Sequence, residues 1–349
     1  MWRGAETPIP ARLGAKQRHY AGPRTTGLAP RGRRKAAIVS EIELLLEPFA
    51  HFSFARALPE SAPSLIAMDA HQRRNRKMER TLDTGLTIQD LSIEGHAQSV
   101  VLRIYRPSGR AALPVVVYFH GGGFTHGSVD QADVTARTLA LHIPAWVVSV
   151  GYSLAPAHPF PAAPEDGYRA LVWAALNARA HRADAKRIAL AGHDAGGNLA
   201  TVVAAMARDR GDVAVVGQLM LAPLLDPSMT RVAPKSDMQS HETQFADCSR
   251  CYREYLPKAL HRVHPYAAPL ESTRLKGLPP AWIATAQDDL LHIEAETYAS
   301  SLIAAGVPTE VTRHCDTSHS EIATHPRALA DAVNFLQRRL SKPSIPLAV

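Results

Sequence analysis

The sequence predicts an α/β fold in which a mainly parallel sheet is covered by helices on both faces. From about residue 99 onward, short β-rich runs alternate with stretches of helical periodicity, as in a doubly wound sheet. Most of the strand candidates are apolar throughout, as strands buried on both faces are. The predicted strands are residues 100–105, 115–119, 146–150, 187–191, 218–221, 282–286 and 310–313.

Apolar residues at spacings of three and four predict the helices between these strands. They are residues 130–141, 166–178, 197–208, 294–304 and 326–340. Residues 36–90 and 226–272 interrupt this alternation with polar, histidine- and proline-containing sequence, which predicts two segments of a helical cap. The expected organisation is therefore a basic arm over residues 1–35, a first cap segment over 36–90, and a catalytic domain over 91–340 that contains 226–272 as the second cap segment.

The net charge of +7 is concentrated at the start of the chain. Residues 1–35 hold nine Lys or Arg and one Glu, so the rest of the chain carries about −1. We expect this arm to be disordered and the nearly neutral body not to bind nucleic acid. Hydrophobic residues make up 46% of the chain, enough for a large core. The sequence contains no run of 18 apolar residues, so it predicts no membrane span.

The cysteines do not predict a disulfide framework, because the chain has only three. A reducing cytoplasm is the expected compartment. Cys248 and Cys251 form one C-x-x-C motif, but there is no second pair to complete a metal site, and we interpret the spacing as coincidence. The sequence contains no other metal or cofactor motif that we recognise, so we expect neither a metal nor a cofactor. The sequence does not predict the oligomeric state, and a homodimer is one of the possibilities.

A glycine-rich segment follows the strand at 115–119. It reads His120, Gly121, Gly122, Gly123 and Phe124. Three consecutive glycines allow backbone N–H groups to turn towards a developing negative charge, which predicts an oxyanion hole. His120 and Phe124 are candidates for contact with the substrate.

A second motif lies between the strand at 187–191 and the next helix. It reads Gly192, His193, Asp194, Ala195, Gly196 and Gly197. Small residues on both sides of a central side chain are what a sharp strand-to-helix bend requires, and this pattern is typical of a nucleophile elbow. We therefore expect Asp194 to point into the site, with the N–H of Ala195 completing the oxyanion hole and His193 beside the substrate.

Several motifs together resemble the hormone-sensitive lipase-like esterases, over roughly residues 90–340. The matching segments are residues 120–123, the run 152–163 (YSLAPAHPFPAA), residues 192–200 and the run 277–281 (GLPPA). The resemblance implies an α/β-hydrolase fold, hydrolysis of a small and mostly apolar substrate, and a triad whose acid is Asp289 and whose histidine is His319. Asp288 is the competing acid, and His314 is the weaker alternative for the histidine.

The elbow departs from this family, whose pattern is Gly-Asp-Ser-Ala-Gly-Gly. Asp194 stands at the serine position, and the Gly-His-Asp-x-Gly-Gly sequence is similar to the elbow of epoxide hydrolases and fluoroacetate dehalogenases. This similarity implies that Asp194 attacks an electrophilic carbon to give an alkyl ester, which water activated by His319 then hydrolyses. Attack on an ordinary ester would form an anhydride, so ester cleavage would need Asp194 to act as a base towards water.

Two questions stay open at this stage. The group that protonates an opening epoxide is not assigned, because Ala195 stands where those families carry an aromatic residue; Tyr252, Tyr255 and Tyr266 are candidates. The alternative function is a non-catalytic ligand-binding protein that has kept the pocket of an esterase and lost its nucleophile. A distance of about 3 to 5 Å between Asp194 and His319 would favour catalysis.

Overall fold

The structure is a computed structural model, and it describes residues 77–82, 85–109, 112–231 and 238–341. The predicted basic arm and residues 36–76 of the first cap segment lie outside the described residues. Among the described residues, no helix is long and apolar enough to cross a membrane.

Nine strands form one sheet in the described part of the chain, in the order β1-β2-β3-β5-β4-β6-β7-β8-β9. The first three pairings across this order, β1 with β2, β2 with β3 and β3 with β5, are antiparallel, and the remaining ones are parallel. The strands are β1 (Lys77–Leu82), β2 (Leu86–Glu94), β3 (Ser99–Pro107), β4 (Leu113–Phe119), β5 (Trp146–Gly151), β6 (Ala183–His193), β7 (Gly217–Leu221), β8 (Ala281–Asp288) and β9 (Thr309–Ser318).

Six α-helices accompany the sheet in the same described ranges. They are α1 (Asp133–His142), α2 (Ala162–Asn177), α3 (Ala195–Arg210), α4 (Met238–Tyr255), α5 (His292–Ala304) and α6 (Pro326–Leu340). The predicted α/β-hydrolase fold is confirmed, since helices cover both faces of a mostly parallel sheet. All seven predicted strands and five predicted helices are present, with ends shifted by a few residues.

The strand β4 shows how the core is divided between the two faces. Every residue of β4 is buried. Val115, Val117 and Phe119 lie in the core on the side of α2 and α3, whereas Val116 and Tyr118 lie in the core on the side of α1 and α6. Alternate residues of a strand point to opposite faces, so a continuous apolar run is what a strand between two helical layers requires.

The first cap segment was predicted too long. Residues 77–82 and 86–90, which the sequence placed in the cap, belong to β1 and β2 of the sheet. The second segment, 226–272, contains α4 and two short 3₁₀ helices, Ala259–Val263 and Pro269–Glu271. Its helix α4 contributes residues to the cavity described below.

Candidate active site

The bend that presents Asp194 joins the end of β6 to the start of α3. Asp194 has φ 55° and ψ −119°, a conformation that residues with a Cβ rarely adopt. A Cβ at Gly192 would lie 2.1 Å from the carbonyl oxygen of Gly196, and one at Gly196 would lie 2.1 Å from that of Phe119. The small residues of the motif are therefore required by the close approach of the helix to the two strands.

The Asp194 carboxylate occupies the predicted oxyanion hole. The N–H groups of Gly122 and Gly123 each donate a hydrogen bond of 2.8 Å to Asp194 Oδ2. In the described residues no hydrogen bond joins this carboxylate to the N–H of Gly121 or Ala195, the two other predicted donors. Gly121 instead makes room for His193, because a Cβ there would lie 2.6 Å from Nδ1 of that ring.

The second carboxylate oxygen faces the predicted histidine. His319 Nε2 lies 3.5 Å from Asp194 Oδ1, and its Nδ1 lies 3.0 Å from Asp289 Oδ2. The 3.5 Å between Asp194 and His319 falls within the range of about 3 to 5 Å expected for catalysis. The structure brings Asp289 to the imidazole and leaves Asp288 at an exposed position on the cavity rim. The rival His314 is buried elsewhere, with its ring against His325.

Opposite charges set the protonation states of these three groups. Burial alone would raise the pKa of Asp194, but the hydrogen bond and charge of His319 hold it below its usual range. Burial would likewise raise the pKa of Asp289, and the His319 charge lowers it. Burial would lower the pKa of His319, but the two carboxylates raise it well above its ordinary value. These directions favour a charged imidazolium between two carboxylates at neutral pH.

Two further side chains hold this arrangement. His193 Nε2 donates to the backbone carbonyl of His319 at 3.0 Å, which fixes the loop that carries the imidazole. Gln244 of α4 donates through Nε2 to Asp289 Oδ1 at 2.8 Å and accepts the N–H of Leu290 at 3.2 Å. The sequence did not single out Gln244, because nothing local links a polar residue of a cap helix to a loop 45 residues further along the chain.

A cavity of about 660 Å³ opens over the carboxylate. Asp194 and His319 form part of its wall, and α4 covers one side through Cys248 and Cys251. The cysteines are free thiols one helical turn apart, and burial raises the pKa of each. The other lining residues are Gly122, Gly123, His126, Leu224, Thr243, Gln244, Asp247, Arg250, Asp288, Ser318 and Ser320.

The residues predicted to touch the substrate lie behind this wall, which corrects the sequence-based expectation. His120 is buried and stacked on Tyr152 at 4.2 Å, and burial lowers its pKa to about 4. Phe124 is stacked on Tyr255 at 3.8 Å. Aromatic packing therefore explains these positions. His193 makes the contact with the His319 loop instead.

The three tyrosines considered as proton donors are also outside the cavity lining. The hydroxyl groups of Tyr252 and Tyr255 are buried and have no hydrogen-bond partner in the described residues, and burial raises the pKa of both. The Tyr266 hydroxyl donates to Asp209 at 2.7 Å. None of them is placed to protonate a leaving group in the cavity. The described residues contain no group of three or more side chains that could hold a metal ion.

Comparison with known proteins places this chain in a known family. A family model described as alpha/beta hydrolase fold matches residues 116–323. The chain is 41% identical to esterase LipI of Mycobacterium tuberculosis over 70% of this chain and 78% of that protein. It is 38% identical to carboxylesterase NlhH of the same species, over 64% of this chain and 71% of the other.

Solved structures agree with the family match. A thermostable carboxylesterase cloned from a metagenomic library, EstE1, superposes with a TM-score of 0.68 at 31% identity, over 81% of this chain and 99% of that one. An esterase from Pyrobaculum calidifontis has a TM-score of 0.66 at 34% identity, over 82% of this chain and 95% of that one. Together with the elbow, the glycine loop and the acid-histidine pair, these matches show that the chain belongs to the α/β-hydrolase family of enzymes.

Proposed function

We propose that this enzyme hydrolyses a small, mostly apolar substrate with an electrophilic alkyl carbon, such as an epoxide, through a covalent ester on Asp194. The proposal rests on the different contacts of the two carboxylate oxygens of Asp194. Oδ2 is held by the N–H groups of Gly122 and Gly123, while Oδ1 lies on the side of His319 and Asp194 lines the cavity.

The same geometry disfavours the ester cleavage suggested by the names of the relatives. An ester carbonyl that entered this site would need the N–H groups of Gly122 and Gly123 in its transition state, and Asp194 Oδ2 already uses both. Attack by Asp194 on an ester would also give an anhydride, which is uphill. The remaining route uses Asp194 as a base towards water, and it is slow because the pKa of this carboxyl is lowered.

In the first step, Asp194 Oδ1 forms a bond to the epoxide carbon while the carbon–oxygen bond of the ring breaks. The alkoxide takes its proton from Nε2 of His319, which is an imidazolium because the two carboxylates raise its pKa. The buried hydroxyl groups of Tyr252 and Tyr255 do not line the cavity, so His319 replaces a tyrosine donor. Formation of the ester removes the charge of Asp194 and leaves His319 neutral.

In the second step, neutral His319, oriented by Asp289, takes a proton from water. The hydroxide adds to Cγ of Asp194, and the negative charge develops on Oδ2, where the N–H groups of Gly122 and Gly123 stabilise it. Collapse breaks the bond between Cγ and Oδ1. The product alkoxide takes up the proton of the new carboxyl group, and the resting imidazolium and carboxylates are restored.

A substrate panel tests this function on the native enzyme and on two variants. The panel contains alkyl and aryl epoxides, haloacids and p-nitrophenyl esters. We expect epoxide turnover by the native enzyme and a loss of about 10³-fold or more in Asp194→Asn. Asp194→Ser should lose epoxide turnover and gain esterase activity, because a serine hydroxyl leaves the N–H groups of Gly122 and Gly123 free for an ester carbonyl.

Two outcomes would contradict the proposal. Esterase activity of the native enzyme equal to that of Asp194→Ser, without epoxide turnover, would assign Asp194 as a base. The ligand-binding alternative instead predicts that the native protein turns over nothing in the panel, that Asp194→Ser gains esterase activity, and that a panel compound raises the melting temperature without being consumed.

A further inference from the structure

A second cleft lies at the other end of the sheet from Asp194. It has a volume of about 320 Å³ and lies between β2, β3 and the turn that leads from α2 into β6. The turn precedes the first residue of β6, whereas Asp194 follows the last, so the length of an 11-residue strand separates the two sites, about 35 Å. Its lining residues are Thr87, Gln89, Ile104, Arg106, Ala180, His181 and Arg182.

The polar groups of this cleft are donors without a counter-ion. Arg106 donates through Nε to the carbonyl of His181 at 3.1 Å, which leaves its two terminal amino groups without a partner in the described residues. The guanidinium of Arg182 makes no hydrogen bond or ion pair with any described residue. No Asp or Glu lines the cleft. By contrast, Arg103 binds Asp90 and Arg210 binds Glu165.

The cleft has a rigid wall. The ring of His181 is stacked on Trp146 with centroids 4.5 Å apart and planes 13° from parallel, and Trp146 is fully buried. Two hydrogen bonds fix the backbone of Arg182: its N–H donates to the Arg179 carbonyl, and its carbonyl accepts the N–H of Leu113. The backbone of the turn and the ring of His181 are therefore held in place before a ligand binds, which reduces the entropy lost on binding.

We propose that this cleft binds a phosphate group, as free phosphate or a small phosphomonoester, at a site separate from the catalytic cavity. Two guanidinium groups can each bind a different pair of oxygens of a tetrahedral anion, whereas a flat carboxylate offers one pair. Gln89 and Thr87 supply further donors at the rim. The volume of about 320 Å³ accommodates a phosphate with a small organic substituent.

The test is a calorimetric titration of the full chain with inorganic phosphate and, separately, glycerol phosphate. Acetate and potassium chloride at matched ionic strength serve as reference anions. We expect both phosphates to bind, and Arg182→Gln and Arg106→Gln each to raise the Kd by about tenfold or more. Arg179→Gln is the matched control, because this arginine is an exposed residue of the same turn outside the cleft lining, and it should leave the Kd within about twofold.

The pKa of His181, measured by NMR titration of its ring protons, gives an independent readout. The pKa of its imidazole is lowered by burial and by the charge of Arg106, so a bound phosphate should raise it in the native chain and not in Arg182→Gln. Whichever of the two compounds binds with the lower Kd shows whether the site prefers free phosphate or a phosphomonoester. Binding no stronger than that of chloride, equal binding of acetate, or an unchanged Kd in Arg182→Gln would overturn the proposal.

Discussion

At Asp194, an unusual backbone conformation and a buried charge are combined in one residue. The backbone is held by three hydrogen bonds: the Asp194 N–H donates to Leu221, and the Asp194 carbonyl accepts from Asn198 and Leu224. For a residue with a Cβ, such a backbone conformation raises the free energy of the folded state by on the order of 1–3 kcal/mol. These bonds, the two N–H donors and the imidazolium together keep the carboxylate at one position.

Of the three glycines at 121–123, two of which donate backbone hydrogen bonds to Asp194, Gly122 tolerates substitution least. Its φ is +117°, and a Cβ would lie 2.4 Å from the carbonyl oxygen of His126. We expect Gly122→Ala to lower the free energy of unfolding by about 2–4 kcal/mol, from the backbone conformation and from the clash. The measurement is urea unfolding.

Gly306→Ala is the matched control for Gly122→Ala. Gly306 also has a positive φ, +80°, but no atom lies within 4 Å of its Cβ position. It should cost only the backbone strain, about 1 kcal/mol. An equal loss in the two variants would show that the contact with His126 contributes nothing.

The three central residues of the candidate site could be predicted from the sequence, and the residues around them could not. The elbow motif predicted the position of Asp194, the family resemblance implied Asp289 and His319, and the structure brings these three together. His120 and Phe124 stand in the same kind of motif, but aromatic packing against Tyr152 and Tyr255 turns them into the core. Which way a side chain turns from a loop depends on such long-range packing.

Among the elements, the helix α4 links the cavity wall to Asp289. Its Cys251 packs against Gly123, where a Cβ would lie 2.6 Å from the sulfur. Its Gln244 binds the side chain of Asp289. A displacement of α4 would therefore alter both the loop that holds Asp194 Oδ2 and the carboxylate that orients His319.

Replacement of Gln244 tests this link. We expect Gln244→Leu to lower kcat for the epoxide about tenfold with little change in KM, the size expected for a lost hydrogen bond to a charged group. The acidic limb of the pH–rate profile should move to higher pH, because the Gln244 hydrogen bond contributes to the lowered pKa of Asp289.

Glu242→Gln is the control, since it changes an exposed residue of the same helix and should alter neither quantity. A loss of kcat in Gln244→Leu with an unshifted pH profile would show that the variant acts by disturbing α4 and not through Asp289.

The strand β2 shows why part of the cap prediction was wrong. Its apolar residues change face along the strand: Leu86 and Ile88 pack in the core on the side of α1 and α6, whereas Leu91 and Ile93 pack on the other side. The alternation therefore shifts by one residue between 88 and 91, which hides the period of two that predicts a strand. Strands buried on both faces, such as β4, gave a clearer signal.

At the scale of the whole molecule, the parallel part of the sheet assembles the site. The loops after β4, β6, β8 and β9 supply the N–H donors, Asp194, Asp289 and His319, in that order. The carboxyl ends of parallel strands lie at one edge of a sheet, where open α/β folds bind their ligands. Four loops distant in sequence can therefore meet around one cavity.

The charges of this site should make stability depend on pH. The pKa of Asp194 and that of Asp289 are lowered by folding, so their contribution is present above about pH 4 and is lost as the pH falls through the lowered values. The pKa of His319 is raised, so its contribution is complete below about pH 6.5 and is lost as the pH rises through the raised value.

Urea unfolding of the native enzyme and of His319→Gln, measured from pH 4 to 10, tests this dependence. The difference in the free energy of unfolding between the two proteins should be largest at about pH 4–6.5 and should decrease towards alkaline pH. A difference that is constant over the whole range would show that His319 contributes through packing and not through its charge.

The fate of the water oxygen tests the covalent ester on Asp194 most directly. A single turnover with enzyme in excess, in water enriched in the heavy oxygen isotope, separates the two mechanisms by mass spectrometry of the product and of the peptide that contains Asp194. Because water adds to Cγ and the product leaves with Oδ1, the heavy isotope should appear in the Asp194 carboxylate and not in the product. Label in the product, with none in Asp194, would contradict the covalent mechanism.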